Sequence, residues 1–389
     1  MEITRFAPSP TGHLHIGGAR TALFSYLFAK ANNGNFLLRF EDTDRERSKE
    51  EYVESILKSL DWMNIKLDSD PVYQSKKITQ HKDLAIELYK KGLAYACDCN
   101  EEALTKMRQE QIAKKQKPKY NGLNRNKEIK YAEGMVLRFK FPQEGVSKFK
   151  DLILGDISIN NKEFDDFIIL RKDGSPTYNF SAAVDDMDMK ITTVIRGDDH
   201  ITNTLKQINV LNAFSARIPS YAHLPMVLAE SGKRLSKRDG AKDILDYKEE
   251  GYLSDALINY LVRLGWSHGE EEVFSLDELK KIFKLNQVNS SPSKYSKDLL
   301  DWYNNKYLNF LTPKELISKV KENSGTDFNQ IDKGEQAISL LAKGANSLNQ
   351  IAEESSYFFE EPETKFASLS IDTDKKLLLS KFSKQLKEI

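Results

Sequence analysis

The chain has 389 residues, 40% apolar and 30% charged, with 58 basic residues balancing 58 acidic ones. That length exceeds one ordinary core and points to roughly two to four domains. Two cysteines exclude a disulfide framework, and no apolar run approaches a membrane span. Met1 to Arg5 enters a strand directly rather than forming a signal peptide, so a cytoplasmic protein is expected.

In chain order, Ile3 to Phe6 is β-prone, and Pro8 and Pro10 end it by fixing φ and removing donors. From Ala19, apolar residues recur at helical spacing through Ala22, Leu23, Tyr26 and Leu27. Asn35 to Phe40 reads as a second strand ending at Glu41, and Ser48 and Lys49 open a helix to about Met63. This β-α-β-α opening favours a doubly wound parallel sheet whose ligands lie beyond the strands' carboxyl ends. Residues from about Pro71 to Asp188 read as an insertion, with helices at Ile78 to Lys91 and Asn100 to Lys115. Its strands are expected at Met135 to Phe141, Phe149 to Leu154 and Phe167 to Leu170. The sheet resumes at Thr192 to Arg196, followed by a helix from Thr202 to Phe214. Beyond Lys237 the chain is mostly helical, with a helix start at Thr312 and Pro313.

The loop between the first strand and first helix contains His13, His15, Gly12, Gly17 and Gly18. Glycines at a helix N-terminus let an anion approach free N–H groups at the positive end of the dipole. His15 can donate to a phosphate oxygen, although the loop alone also reads as a Gly/Pro-rich turn with solvated histidines. Between Ala103 and Lys140, eleven basic residues face three acidic ones, a local excess of eight. Such a patch suits a polyanion and equally a solvated lysine-rich helix. Gly232 to Gly240 is a compact basic loop; by itself it is a solvent-exposed turn, but beside an anion site its lysine can neutralise charge developing on phosphates.

With these segments in place, the sequence closely resembles the bacterial glutamyl-tRNA synthetases of the class I aminoacyl-tRNA synthetases. His15-Ile-Gly-Gly18 resembles the HIGH signature, and Arg234-Leu-Ser-Lys-Arg238 the KMSKS signature. Pro176 to Phe180, Val184 to Asp186, Val194 to His200, Tyr252 to Gly265 and Trp266 to Gly269 match further blocks, so the resemblance runs from Met1 to about Leu311. It implies an α/β fold: a Rossmann-like catalytic domain with an inserted α+β acceptor-binding domain, followed by α-helical C-terminal domains. The boundaries expected are 1–75 and 186–240 for the two catalytic halves and 76–185 for the insert. A helical stem-contact domain would span 241–311 and a partial helical anticodon-binding domain 312–389.

The implied reaction joins glutamate to ATP as glutamyl-adenylate, with magnesium, and passes the acyl group to the terminal ribose of tRNA-Glu. Positioning and charge stabilisation carry such a displacement, so no nucleophilic triad is needed. Carried over by motif, Arg5, Ala7, Ser9, Glu41, Tyr178 and Arg196 would bind glutamate. His15, Gly17, Gly18, Arg234, Leu235, Ser236, Lys237 and Arg238 would bind ATP, with His15 and Lys237 catalytic. Two arginines suit a substrate with two carboxylates.

Departures from the family pattern are informative. Gly18 replaces the last histidine of HIGH, and Arg234 the first lysine of KMSKS. Some members hold structural zinc with a Cys-x-Cys pair and two later ligands. Here Cys97 and Cys99 are present, but Tyr120 to Asn126 contains no cysteine or histidine. Four ligands are wanted, so no zinc and no other resident metal is expected. The resemblance reaches only the start of the anticodon-binding region, so the chain reads as a fragment or a shortened enzyme. Alternatives are a non-discriminating form that also charges tRNA-Gln, and glutamylation of a modified tRNA-Asp base. From other classes, a small-molecule nucleotidyltransferase would need no basic insert, and an inactive RNA-binding module would have lost His15, Glu41 or Lys237. A monomer without membrane contact is expected.

Overall fold

The computed structural model describes residues 1–359 apart from 45, 234 and 236–241. Two compact units divide between Phe310 and Leu311.

In the first unit, β1 (Ile3–Phe6), α1 (Ile16–Ala31), β2 (Asn35–Phe40), α2 (Glu50–Trp62) and β3 (Val72–Tyr73) follow one another. β1, β2 and β3 are parallel neighbours. α1 is apolar on most sides and largely buried: Leu23, Phe24 and Leu27 pack with Phe36 and Leu38 of β2 in the main core. The helix begins at Ile16, three residues before the apolar pattern, because the His15 side chain caps it.

Next come α3 (Ile78–Lys90), β4 (Ala94–Cys97), α4 (Glu101–Ala113), β5 (Val136–Phe139), β6 (Val146–Asp151), β7 (Gly155–Asn160) and β8 (Ile168–Leu170). β4, β5 and β8 form an antiparallel sheet over its own core, including Leu88, Leu137, Phe139 and Ile169. The strand expected at Phe149 to Leu154 starts earlier, as β6, and forms a hairpin with β7 that joins another sheet. The chain continues with α5 (Tyr178–Asp188), β9 (Thr193–Gly197), α6 (Ile201–Ala213), β10 (Ser220–Leu224) and β11 (Val227–Leu228). β10 lies between β9 and β6, parallel to both. Along the seam between β1 and β9, Thr192 N–H donates to the Ile3 carbonyl at 2.9 Å and Ile3 N–H to Thr192 Oγ1 at 2.8 Å. The strands therefore run in the order 3-2-1-9-10-6-7, with the direction of winding reversing between β1 and β9. Ligands of such sheets bind beyond the carboxyl ends at this reversal.

α7 (Ile244–Glu249), α8 (Ser254–Arg263), α9 (Leu276–Ile282), β12 (Ser293–Lys294) and α10 (Lys297–Phe310) complete the unit. Trp266, Ile258, Leu261 and Phe283 join the core around α1.

The second unit holds α11 (Pro313–Ser324), α12 (Gly334–Gly344), α13 (Leu348–Glu354) and α14 (Ser356–Phe359). Thr312 and Glu315 form a capping box at the start of α11, and Gly325 ends it at φ 78°. Leu316, Val320, Phe328, Ile338 and Ile351 are buried within this unit. Among the described residues no helix is long and apolar enough to cross a membrane.

Gly34 sets the register of β1 against β2, because a Cβ there would lie 2.1 Å from the Glu2 carbonyl oxygen. Gly34→Ala is expected to destabilise the protein by about 1–3 kcal/mol through this overlap, read as a lower urea midpoint at unchanged slope.

Candidate active site

Beyond the carboxyl ends of β1, β2, β9 and β10 opens a cleft of about 580 Å³. Arg5, Ala7, Ser9, His15, Gly17, Gly18, Glu41, Tyr178, Arg196 and Leu235 all line it. Residues from the two signatures and the blocks between them thus meet in one place. Arg234, Ser236, Lys237 and Arg238 lie outside the described residues.

Asp186 on α5 anchors one wall. Arg5 grips it with two bonds, Nε at 3.1 Å and Nη2 at 3.4 Å. Arg39 Nη1 adds a third at 2.6 Å, and Arg39 Nη2 reaches Glu41 Oε1 at 3.3 Å. Burial alone would raise the Asp186 carboxyl, but Arg39 and Arg5 hold it below the usual carboxylate range. For Glu41 the balance is reversed: burial raises it above its ordinary value against the pull of Arg39 and Arg5. The Glu41 N–H donates to the Pro8 carbonyl at 2.9 Å, which draws the loop carrying Ser9 to the end of β2.

The opposite wall comes from the end of β9 and the turn through His200 that follows it. Arg196 is 6% exposed; its Nε bonds His223 Nε2 at 3.3 Å and its Nη2 bonds Thr204 Oγ1 at 2.6 Å. Its Nη1 is buried without a hydrogen-bond partner among the described residues. Tyr178 Oη meets His200 Nδ1 at 3.0 Å, and Asn203 Nδ2 meets the same nitrogen at 3.2 Å. Nδ1 accepts, so the ring proton sits on Nε2. Burial, followed by the Arg196 charge, lowers the His200 pKa to about 4, leaving it neutral near pH 7.

The glycine loop differs in detail from the free anion cradle expected. His15 Nδ1 accepts from Gly17 N–H at 3.1 Å and Gly18 N–H at 3.4 Å, so two N–H groups at the helix start are engaged by the histidine itself. A Cβ on Gly17 would come within 3.1 Å of the His15 ring, and one on Gly18 within 2.9 Å of Leu14 Cδ1. These glycines make room for protein side chains as well as for a ligand. With Nδ1 accepting, His15 carries its proton on Nε2. Downstream of the basic loop, Asp243 bridges to His15 and Ile244 N–H donates to the Leu14 carbonyl at 2.8 Å. The two signature regions are therefore stitched together by backbone.

Arg20, Thr21, Asp198, Asp199, His200 and the Leu224 to Val227 segment also line the cleft but were not singled out from the sequence. Arg20 is buried, donates to the Pro225 carbonyl at 2.7 Å, and leaves Nε and Nη2 without hydrogen-bond partners among the described residues. Burial lowers its pKa to about 10, against the pull of Asp198. The only signal for it was one arginine inside an otherwise apolar helix.

A second recess of about 450 Å³ shares Tyr178 with the cleft and is lined by Arg108, Lys119, Arg171 and Lys206 among others. The leading helix of the basic segment, α4, buries no residue at all. Nearby, the Tyr120 hydroxyl lies 3.7 Å from Cys97 Sγ and 3.8 Å from Cys99 Sγ. Cys99 Sγ is 3.3 Å from Asn124 Oδ1, and Arg138 Nε donates to Cys97 Sγ at 3.3 Å. Against burial, Arg138 and neighbouring hydrogen bonds hold the Cys97 thiol below its usual pKa. A guanidinium already faces the sulfur that a metal would use, and no cluster of three or more His, Cys, Asp or Glu residues suited to a metal occurs among the described residues. This donor set does not fit structural zinc.

His200 gives a pH signature. Its folded pKa of about 4 lies below the unfolded value near 6.5, so the unfolded chain takes up a proton first as pH falls. Its contribution to stability is complete above about pH 6.5, erodes between there and about 4, and then levels. The expected result is a Tm that falls across this window, with a shallower fall in His200→Asn; equal slopes would remove His200 from the account.

Residues 3–302 match the family described as tRNA synthetases class I (E and Q), catalytic domain. The chain is 49% identical over 362 residues to glutamate–tRNA ligase 1 of Coxiella burnetii, covering 92% of this chain and 77% of that relative. It is 46% identical over 366 residues to glutamate–tRNA ligase of Francisella tularensis subsp. novicida, covering 93% and 78%. The solved glutamate tRNA ligase of Elizabethkingia meningosepticum, in complex with its amino acid, superposes with a TM-score of 0.88 at 30% identity, covering 100% of this chain and 86% of that one. Glutamate-tRNA synthetase from Elizabethkingia anophelis gives a TM-score of 0.83 at 31% identity, covering 100% and 87%. With the family match spanning most of its length and both sides of its cleft, the chain belongs to the class I tRNA synthetases of the glutamate and glutamine group.

Proposed function

We propose that the cleft binds L-glutamate and MgATP and that the chain works as a glutamate–tRNA ligase. Activation forms a bond between a glutamate α-carboxylate oxygen and the α-phosphorus of ATP while pyrophosphate leaves. A hydroxyl of the tRNA terminal ribose then attacks the acyl carbon, and AMP leaves.

The observation that carries this reading is Arg196 Nη1, a buried charged donor without a hydrogen-bond partner among the described residues, in a cleft that also contains Arg5, Glu41 and Tyr178. A substrate carboxylate would complete its bonding. Guanidinium only donates, so a carboxylate, with two accepting oxygens and a full negative charge, is a better partner than the glutamine amide, of which one end accepts and the other donates. Glu41, raised by burial, would be relieved by the substrate ammonium. Ala7 and Ser9 close the wall beside it. His15 would face the phosphates from the start of α1, and Lys237 would meet the pyrophosphate side. The basic recess beyond Tyr178 would take the acceptor end of tRNA, drawn in by Arg108, Lys119, Arg171 and Lys206. The insert would hold without zinc, and the protein would act as a monomer.

The deciding experiment is aminoacylation with radiolabelled glutamate on separate tRNA-Glu and tRNA-Gln, with Lys237→Ala as the inactive control. Charging of tRNA-Glu that the control abolishes is expected; charging of tRNA-Gln as well would make the enzyme non-discriminating, and none with folded protein would overturn the reading. Arg196→Ala should raise KM for glutamate by roughly thirtyfold or more, because an ion pair worth at least about 2 kcal/mol is lost. Protein grown with added zinc should carry far less than one zinc per chain by elemental analysis, and EDTA should leave its Tm unchanged. Stoichiometric zinc that Cys97→Ser removes would contradict this.

A further inference from the structure

Behind Arg196, on the side away from the cleft, lies a buried chain of polar groups that the reaction itself does not use. His223 is the β10 residue in register with Arg196 of β9. Its ring is fully buried, stacked on Tyr221 with centroids 6.3 Å apart, with the Phe149 edge at 5.8 Å. Its Nδ1 lies 2.6 Å from Asp151 Oδ2. Asp151 sits at the end of β6 and also accepts from the backbone N–H groups of Ile153 and Leu154, both at 2.9 Å, and of His223 at 3.1 Å. Against burial, these donors keep the Asp151 carboxyl below its usual range. An ionised carboxylate only accepts, so Nδ1 carries the ring proton and Nε2 presents a lone pair. That lone pair faces both Arg196 Nε at 3.3 Å and the Thr204 hydroxyl of α6 at 3.0 Å, and Thr204 Oγ1 in turn takes Arg196 Nη2 at 2.6 Å, so the three groups close one buried cluster.

We propose that His223, fixed in one tautomer by Asp151, is a positioning residue for the amino-acid substrate: it orients the Arg196 guanidinium so that Nη1 faces the cleft. Of the three nitrogens, Nε is held by His223 and Nη2 by Thr204, and the remaining one is the buried donor without a hydrogen-bond partner. Neither His223, Asp151 nor Thr204 lines the cleft, so all three act through Arg196. Burial also lowers the His223 pKa, which keeps Nε2 free of a proton that would repel the guanidinium. This inference rests on the reading of Arg196 as a glutamate contact.

The test compares His223→Leu, His223→Gln and Arg196→Ala in ATP–pyrophosphate exchange with tRNA present, measuring KM for glutamate and for ATP separately alongside Tm. His223→Leu is expected to raise KM for glutamate by roughly tenfold to a hundredfold, the weight of one hydrogen bond to a charged group, with KM for ATP unchanged. Gln offers an acceptor oxygen near Nε2, so His223→Gln should recover most of the glutamate KM even though Asp151 loses its ring partner. A lower Tm in His223→Leu with an unchanged glutamate KM would overturn the inference, because the pair would then only brace the fold. So would His223→Gln no better than His223→Leu at matched Tm. If Arg196→Ala itself leaves the glutamate KM intact, the reading of the cleft fails, and the inference with it.

Discussion

The Asp186 carboxylate accepts from two guanidiniums that arrive from different strands, Arg5 on β1 and Arg39 on β2, all three groups at most 4% exposed. Charges so far from water are tolerated only when each is paired in good geometry, and removing one partner from such a cluster is far more damaging than its net contribution to stability suggests. α5 must dock against the ends of β1 and β2 for Arg5 to be neutralised and for Arg39 to gain a second carboxylate beside Glu41. The docking fixes Arg5 and, through Arg39, holds Glu41 beside it. Asp185, the preceding residue, ties the same helix to the start of the insert through Gln74 at 2.8 Å and His81 at 2.9 Å. Two adjacent carboxylates thus join the active-site wall to the domain expected to grip the nucleic acid.

The cleft is built by the same rule on its other side. Arg196 is oriented by groups from β10, β6 and α6 just as Arg5 is oriented from α5. Each arginine has part of its hydrogen-bonding capacity committed to the protein. A preorganised donor costs the substrate less on binding than a side chain that must first be ordered. This suits a reaction whose catalysis lies in placement and charge compensation rather than in a covalent nucleophile.

Much of this was legible from local pattern. The alternation of short apolar strands with periodic helices from Ile3 to Trp62 predicted the parallel opening, and the signatures and the family resemblance around them named ten of the residues that line the cleft. What escaped notice depends on contacts between residues far apart in sequence. Arg39 lies 147 positions from Asp186, and Asp151 lies 72 from His223, and neither pair leaves a trace in hydrophobic periodicity. The hairpin of β6 and β7 was half read because most of its residues alternate between partial and full exposure, so no apolar face announced that β6 joins the main sheet beside β10. The His15 cap was missed for a different reason. Histidine is not among the usual N-cap residues, and its ring fits only because Gly17 lacks a Cβ.

The seam at Ile3 and Thr192 joins residues 189 positions apart. Closing so long a loop costs little more than closing one half its length, roughly 0.6 kcal/mol per doubling, so a large insert between β3 and β9 is thermodynamically cheap. Its expense is temporal. A ribosome makes the chain from its N-terminal side, so β1 emerges well before the strand beside it and the anion that neutralises Arg5, which lie beyond the insert. Until then β1 has an unpaired edge and a solvated charge. The catalytic floor is begun before the insert and closes only after the insert has been translated.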